Sequence, residues 1–173
     1  TRYAMDMDYW REQLPNMPPP PQLPARDAQG ERPQFRRRIF SLTCDEFQRL
    51  SAKAARLGIT PTGFVMAAFA DIIRCWNSGE DFALNVTLFN RPDSHPDLQT
   101  IVGDFTSMVL VPVQKVTGES LIDRARRLQR TLWHHLDHRS VSGITILDEL
   151  RKMAGSHDAA KYTVVFTSLL NLS

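Results

Sequence analysis

Seven of the 11 prolines fall between Pro15 and Pro33, and that clustering limits the possible folds more than any other local feature. Proline fixes φ and donates no backbone hydrogen bond, so the stretch is excluded from helix interiors and central strands. It runs as an extended crossing segment or linker. Ahead of it, Asp6 to Leu14 reads as a short helix.

Beyond the prolines, helix and strand signals alternate. Phe35 to Leu42 alternates weakly and reads as a strand. Thr43 and Glu46 have capping-box spacing, and Phe47, Leu50, Ala54 and Leu57 then fall on one helical face before Gly58. Thr60 followed by Pro61 opens a second helix to about Trp76. That helix is apolar nearly all round, which predicts deep burial; Asn77, Ser78 and Gly79 stop it. Phe82 to Phe89 and Met108 to Val116 read as strands, and Pro112 puts the second at an edge or a bulge. Ser120 to His138 is a long amphipathic helix with Leu121, Ala125, Leu128, Leu132 and Leu136 on one face. Ser142 to Met153 is a shorter helix, and Tyr162 to Leu170 a final strand. The pattern predicts an α/β sandwich with no internal repeat.

Charge and cysteine usage exclude several classes. The chain carries 21 basic and 19 acidic residues, a net +2, too little to draw a nucleic acid by bulk electrostatics. Arg36 to Arg38 and Arg124 to Arg127 read as solvated strand and helix faces. Cys44 and Cys75 form neither a disulfide framework nor a metal-ligand spacing. Cys44 sits at a helix start, where a thiolate is favoured, but has no evident base nearby in sequence. Free thiols fit a reducing cytoplasm. The longest apolar run, Phe64 to Ala70, is far short of a membrane span, and the N-terminus has no apolar signal-peptide core. The expectation is a soluble cytoplasmic protein without a membrane or nucleic-acid partner.

The most specific stretch is Leu84 to Ser107, LNVTLFNRPDSHPDLQTIVGDFTS. Its phrases LFNRPDSHPD and VGDFTS resemble the signature of the heterocyclization domains of nonribosomal peptide synthetases, members of the condensation-domain superfamily. YWREQLPNMPPPPQLP (Tyr9 to Pro24) resembles the tryptophan-plus-proline segment that precedes the second lobe of those domains. TPTGFVMAAFADIIRCW (Thr60 to Trp76) is similar to their first long buried helix, and VVFTSLLNLS (Val164 to Ser173) to their last core motif. The likeness spans nearly the whole chain but only the back part of such a domain. The diagnostic DxxxxD motif belongs to the front lobe and is absent here. The resemblance implies a two-layer α/β sandwich lobe like chloramphenicol acetyltransferase, with residues 1–35 as inter-lobe helix and linker and 36–173 as an incomplete C-terminal lobe.

Read from the residues alone, Gly103 offers backbone angles closed to other residues, Asp104 a turn anchor, and Thr106 an ordinary start to a strand. The resemblance adds that the threonine of GDFT takes part in ring formation. Asp137, within WHHLDHRSVSG, resembles the family's aspartate after the long helix. It lies in the last turn of its helix, where the macrodipole disfavours an ionised carboxylate; burial would act in the same direction, and charged His134, His138 and Arg139 would oppose it. A carboxyl group so placed suits general acid–base work, and a solvated helix-end aspartate is the competing reading. His134 and His138 share a helical face as zinc ligands can, but no third ligand or HExxH follows, and no metal is expected. The HHLDH run does not have the HHxxxDG spacing of ordinary condensation domains. The resemblance makes Asn85, Asn90, Arg91, Ser107, Thr167 and Ser168 candidates to line a substrate channel. His95 and Asp97 belong to a turn-rich loop. There is no GxSxG, GxGxxG or P-loop.

The activity implied by the resemblance is amide formation between carrier-bound aminoacyl thioesters, then cyclodehydration of a Cys, Ser or Thr side chain to thiazoline or oxazoline. The catalytic pair would be Asp137, moving the proton, and Thr106, positioning it. The domain would bind no cofactor of its own; phosphopantetheine would arrive on peptidyl or aminoacyl carrier domains. Further partners would be an adjacent adenylation domain and the N-terminal lobe. Alternatives are a condensation domain that does not cyclize, or a docking lobe without catalysis. A free-standing acyl-CoA transferase is disfavoured, since no HxxxD spacing occurs.

Overall fold

A computed structural model describes residues 1–24, 34–78, 80–91, 95–155 and 161–170. Gly79 of the expected helix stop and Pro92, Asp93 and Ser94 of the turn-rich loop lie outside the described residues. The elements run α1 (Arg2–Gln13), a 3₁₀ turn, α2 (Cys44–Arg56), α3 (Pro61–Trp76), β1 (Phe82–Phe89), a second 3₁₀ turn, β2 (Thr106–Val113), α4 (Leu121–Asp137), α5 (Gly143–Ala154) and β3 (Val165–Phe166). The strands form one mixed sheet in the order β2-β1-β3, so the fold is α/β with helices packed around a small sheet. No single helix among the described residues is long and apolar enough to cross a membrane.

β1 is the central strand, and Phe82, Ala83 and Leu84 are fully buried. It pairs antiparallel with β2, from Phe82↔Val113 to Phe89↔Thr106, and parallel with β3 at Asn85↔Val165 and Val86↔Phe166. The amides of Ala83 and Asn85 point away from β2, to the carbonyls of Pro19 at 3.0 Å and Val164 at 3.3 Å. Opposite partners in an antiparallel pair share the same hydrogen-bonding parity. Pro112 and Leu110, facing Ala83 and Asn85, therefore turn their backbone groups to the outer edge of β2. Pro112 lacks an N–H and sits where none is needed, which is the edge position expected of it.

β3 is only two residues long, against the strand expected over Tyr162 to Leu170, and the edge of β1 away from β2 explains its late start. The proline segment already holds the amide of Ala83. Tyr162 instead donates its hydroxyl to the Pro18 carbonyl at 2.9 Å and accepts from Asn85 Nδ2 at 3.3 Å. Burial pushes the Tyr162 phenol up to about 12, so it stays a donor.

α1 starts at Arg2, earlier than expected, and seals the core with Trp10 and Leu14. α2 begins with the full Thr43–Glu46 capping box, which holds the Glu46 carboxyl below its usual range. Two expectations fail. Phe35 to Leu42 is not a strand: no partner strand lies beside it among the described residues, and Phe35, Ile39 and Phe40 are exposed. α3 is not buried all round: Met66, Ala67, Ala70 and Ile73 face the core, while Ile72 and Trp76 are about 60% exposed.

Arg124 and Arg127 are not a solvated helix face either. Arg127 grips Glu119 with two bonds of 2.8 Å, and Arg124 pairs with Asp71 on α3. Arg74 and Arg127 both donate to the Gln114 carbonyl. The bonds from Arg127 hold the Glu119 carboxyl below its usual range against burial.

At the other end of α4, His135 is 2% exposed and wedged edge-to-face against Tyr9 and Trp10. Its Nδ1 donates to the outward carbonyl of Leu110 at 2.7 Å. Below it on the same edge, a Cβ on Gly143 would collide with the Met108 carbonyl. α5 reaches β2 only because position 143 has no side chain.

Two outcomes follow from these contacts. Gly143→Ala must push α5 off β2, and thermal or urea denaturation should show a loss of about 1–3 kcal/mol. Burial lowers His135 to about 4 from an ordinary 6.5. The unfolded chain then binds the extra proton between those values, so stability is full above pH 6.5 and falls as pH drops towards 4. The expected loss is about 2–3 kcal/mol. Urea midpoints across that window should fall for the native chain and stay nearly flat for His135→Gln; the Glu119 contribution is lost only below pH 4.5.

Candidate functional site

A cavity of about 460 Å³ opens where the C-terminal end of β1 and the start of β2 meet α3, α4 and the chain after β3. Its lining mixes hydroxyls with apolar walls. Thr87, Thr106, Thr167 and Ser168 come from the sheet side, Thr60 and Thr62 from the start of α3, and Leu132, Trp133 and Leu136 from α4.

Strand register explains the hydroxyls. Thr87 and Phe89 lie on one face of β1, and Thr106, opposite Phe89, lies on that face diagonally from Thr87. The Thr167 hydroxyl donates to that of Thr87 at 3.0 Å. Three threonines thus run across the strand ends, one from each chain segment. The hydroxyls of Ser168 and Thr62 share a bond of 3.0 Å, closing the gap between the post-β3 segment and α3.

Thr106 is anchored from below. Its amide donates to the Asp104 carboxylate at 2.8 Å, the local turn expected for that aspartate. The Thr106 hydroxyl and amide together hold the Asp104 carboxyl below its usual range. Gly103 does not supply an unusual backbone angle: the glycines of positive φ among the described residues are Gly58, Gly118 and Gly155.

Of the residues singled out in the sequence, Thr106, Thr167 and Ser168 line the cavity; Asn85, Asn90, Ser107 and Asp137 are not among its lining residues. Asn85 bonds Tyr162, and its buried Oδ1 has no partner among the described residues. The Asn90 amide donates to the Phe105 carbonyl at 2.9 Å. Arg91 staples the loop that follows, donating to the carbonyls of Leu98 and Ile101 with its guanidinium 4.0 Å over the Phe105 ring. Within that loop the His95 Nδ1 accepts from the Asp97 amide at 3.2 Å.

Asp137 closes α4 as an exposed residue rather than a buried one. It follows Leu136 and sits one turn after Trp133, both of which line the cavity. Residues four apart are neighbours on a helix surface, so Asp137 lies on the Trp133 side of α4. His138 Nδ1 donates to the His134 carbonyl at 2.8 Å. Among the described residues no group of three or more His, Cys, Asp or Glu is placed to hold a metal ion.

Sequence reasoning missed Gln129. It is buried, lines the cavity, accepts at Oε1 from the Thr60 amide (2.7 Å) and hydroxyl (2.8 Å), and donates from Nε2 to the Gly58 carbonyl at 3.0 Å. A signal was present: Gln129 is a polar residue between Ala125 and Leu132 on the apolar stripe of α4. Thr62 and Trp133 carried no such signal.

The model of the condensation domain family matches residues 1–172. Pyochelin synthetase PchF of Pseudomonas aeruginosa is 39% identical over 168 residues, covering 96% of this chain and 9% of that protein. Phenyloxazoline synthase MbtB of Mycobacterium tuberculosis is 38% identical over 169 residues, covering 96% of this chain and 12% of that protein. The chain thus spans roughly a tenth of the length of these relatives. Among solved structures, the EpoB cyclization-docking bidomain of a nonribosomal peptide synthetase from Sorangium cellulosum superposes with a TM-score of 0.86 at 39% identity. That match covers 99% of this chain and 35% of the bidomain. With its sequence matched end to end and its fold shared, the chain belongs to the condensation-domain family, as a fragment matching the heterocyclization domains of nonribosomal peptide synthetases.

Proposed function

We propose that this chain is the C-terminal lobe of a heterocyclization domain, residues 1–35 serving as the inter-lobe helix and linker. The complete domain would join two carrier-bound aminoacyl units and then close a Cys, Ser or Thr side chain into a thiazoline or oxazoline. The observation that carries the reading is that Thr106 lines a cavity also lined by Trp133 and Leu136, the residue just before Asp137 at the end of α4. The substrates would be thioesters on the phosphopantetheine arms of carrier domains, and a cleft of about 460 Å³ is in the size range of small-molecule sites. An adenylation domain and the front lobe would complete the machine.

The chemistry needs one mobile proton and one fixed hydroxyl. After amide formation, the acceptor's thiol or hydroxyl adds to the new amide carbonyl, forming a carbon–sulfur or carbon–oxygen bond and leaving a hydroxylated five-membered ring. Dehydration breaks the bond to that hydroxyl, which leaves as water after receiving a proton. The ring nitrogen loses its proton as the carbon–nitrogen double bond forms. Asp137 would deliver the first proton and take the second, ending as it began. Thr106, with one donor and two acceptor sites, would orient the adduct against that carboxyl. Asp104, bonded to Thr106, would hold the hydroxyl-bearing residue in place.

A condensation domain without cyclization, or a docking lobe, would need neither group. The GDFTS and LDHRSVSG phrases favour the cyclizing reading over both.

In the complete synthetase, Asp137→Ala should form linear peptide on the carrier while ring closure falls about 10²-fold or more. Thr106→Val, which keeps the shape and removes the hydroxyl, should lower ring closure about ten-fold. Intact-protein mass spectrometry of the loaded carrier separates the two products by one water. Normal cyclization by Asp137→Ala would end the assignment, and absence of any transfer by the native protein would leave a docking lobe.

A further inference from the structure

α1 lies outside the cavity, yet its side chains converge on the turn that carries Asp137. Arg2 donates to the Asp137 carbonyl at 3.0 Å, and Trp10 Nε1 to the His138 carbonyl at 3.1 Å. The last carbonyls of a helix have no intrahelical partner, so these bonds cap α4 from another element. The buried Asp6 carboxylate accepts from the Ser140 hydroxyl and from the Ser140 amide at 3.2 Å, fixing the chain just past the helix. The Tyr9 ring lies flat on the His138 ring, with centroids 3.7 Å apart and planes 9° from parallel. Burial, and then the charge of Asp137, raise the Tyr9 phenol above its ordinary value.

A helix end normally frays. A proton-moving group on a frayed turn would lose its alignment, and a misplacement of about 1 Å can cost about 10²-fold in rate. Here one helix supplies a ring stack, two carbonyl caps and a carboxylate anchor within four consecutive residues, from Asp137 to Ser140.

We propose that Tyr9 is a positioning residue for Asp137: stacked on His138 while Arg2 and Trp10 hold the carbonyls of residues 137 and 138, it keeps the end of α4 wound and so fixes where the Asp137 carboxyl sits. The proposal rests on the assignment of Asp137 to ring closure. It gives α1 a role in the chemistry, since any displacement of that helix would move the proton-transfer group.

The test uses the complete synthetase with its carriers and reads linear and cyclized carrier-bound product in a single turnover. Tyr9→Ala should lower the cyclized-to-linear ratio about ten-fold, with amide formation changed less than about two-fold. Tyr9→Phe keeps the stack and should restore the ratio to within about three-fold of native. The double variant Tyr9→Ala/Asp137→Ala should close rings no more slowly than Asp137→Ala alone, as expected of a residue acting through another. Arg2→Ala, at an exposed position, should give a smaller drop in the same ratio and serves if Tyr9→Ala does not fold. A native ratio in the Tyr9→Ala variant, or in Arg2→Ala where that one stands in, overturns the proposal. So does an equal loss of both steps, or a Tyr9→Phe variant as impaired as Tyr9→Ala. Asp137→Ala, run in parallel, separates the two failures. If it is blocked while Tyr9→Ala is native, only the positioning role falls; if it cyclizes normally, the Asp137 assignment falls and takes the proposal with it.

Discussion

The parity of pairing between β1 and β2 sets the rest of the structure. Because Ala83 and Asn85 point their amides away from β2, Leu110 and Pro112 opposite them point away from β1. That gives β2 an outer edge with a free carbonyl at Leu110, a missing donor at Pro112 and, two residues earlier, the Met108 carbonyl. Each is used. His135 donates to Leu110, and the α5 terminus lies against Met108 where Gly143 leaves room. A register shifted by one residue would bury the proline against β1 and turn the Leu110 carbonyl inward. α4 and α5 would then lose their anchor points together.

The same parity builds the cavity. With Thr87 and Phe89 on one face of β1, Thr106 falls on that face too, and Thr167 of the parallel segment joins Thr87 by a hydroxyl–hydroxyl bond. The other edge of β1 is shared between two partners in sequence, the Pro19 carbonyl and then the Val164 carbonyl. That division makes β3 begin late, at Val165; beyond Phe166, outside the ladder, Thr167 and Ser168 line the cavity.

What was legible in the sequence was local. The Thr43–Glu46 box, the Thr60–Pro61 start, the stripe of α4 and the edge position of Pro112 each depend on a few neighbouring residues, and each holds. What was illegible depends on partners far along the chain. Phe35 to Leu42 has a strand's composition and no strand beside it among the described residues. Arg124 and Arg127 look like a solvated face until Asp71 and Glu119 are seen to meet them. The apolar residues of α3 divide into a buried face and an exposed one, a distinction composition does not carry. Thr106 was found through a motif and lies in the cavity. Asp137 was expected beside it but is exposed and not among the lining residues; successive helix residues lie about 100° apart, and it is Leu136 that lines the cavity.

Apolar burial alone would not hold these positions. Leu128 and Leu132 contribute stability to α4, but hydrophobic contact is non-directional and tolerates sliding. A helix slid by one turn moves about 5.4 Å and still presents an apolar stripe. The polar contacts do not tolerate it. Arg124 pairs with Asp71 of α3 near one end, Gln129 satisfies Thr60 and Gly58 at the middle, and His135 meets the Leu110 carbonyl near the other end. Each is buried or partly buried, so breaking it would leave an unpaired polar group or charge costing about 1–3 kcal/mol. Three such contacts along one helix admit a single placement. The register of Trp133, Leu136 and Asp137 against the cavity is therefore set by groups that the hydrophobic pattern of α4 does not announce.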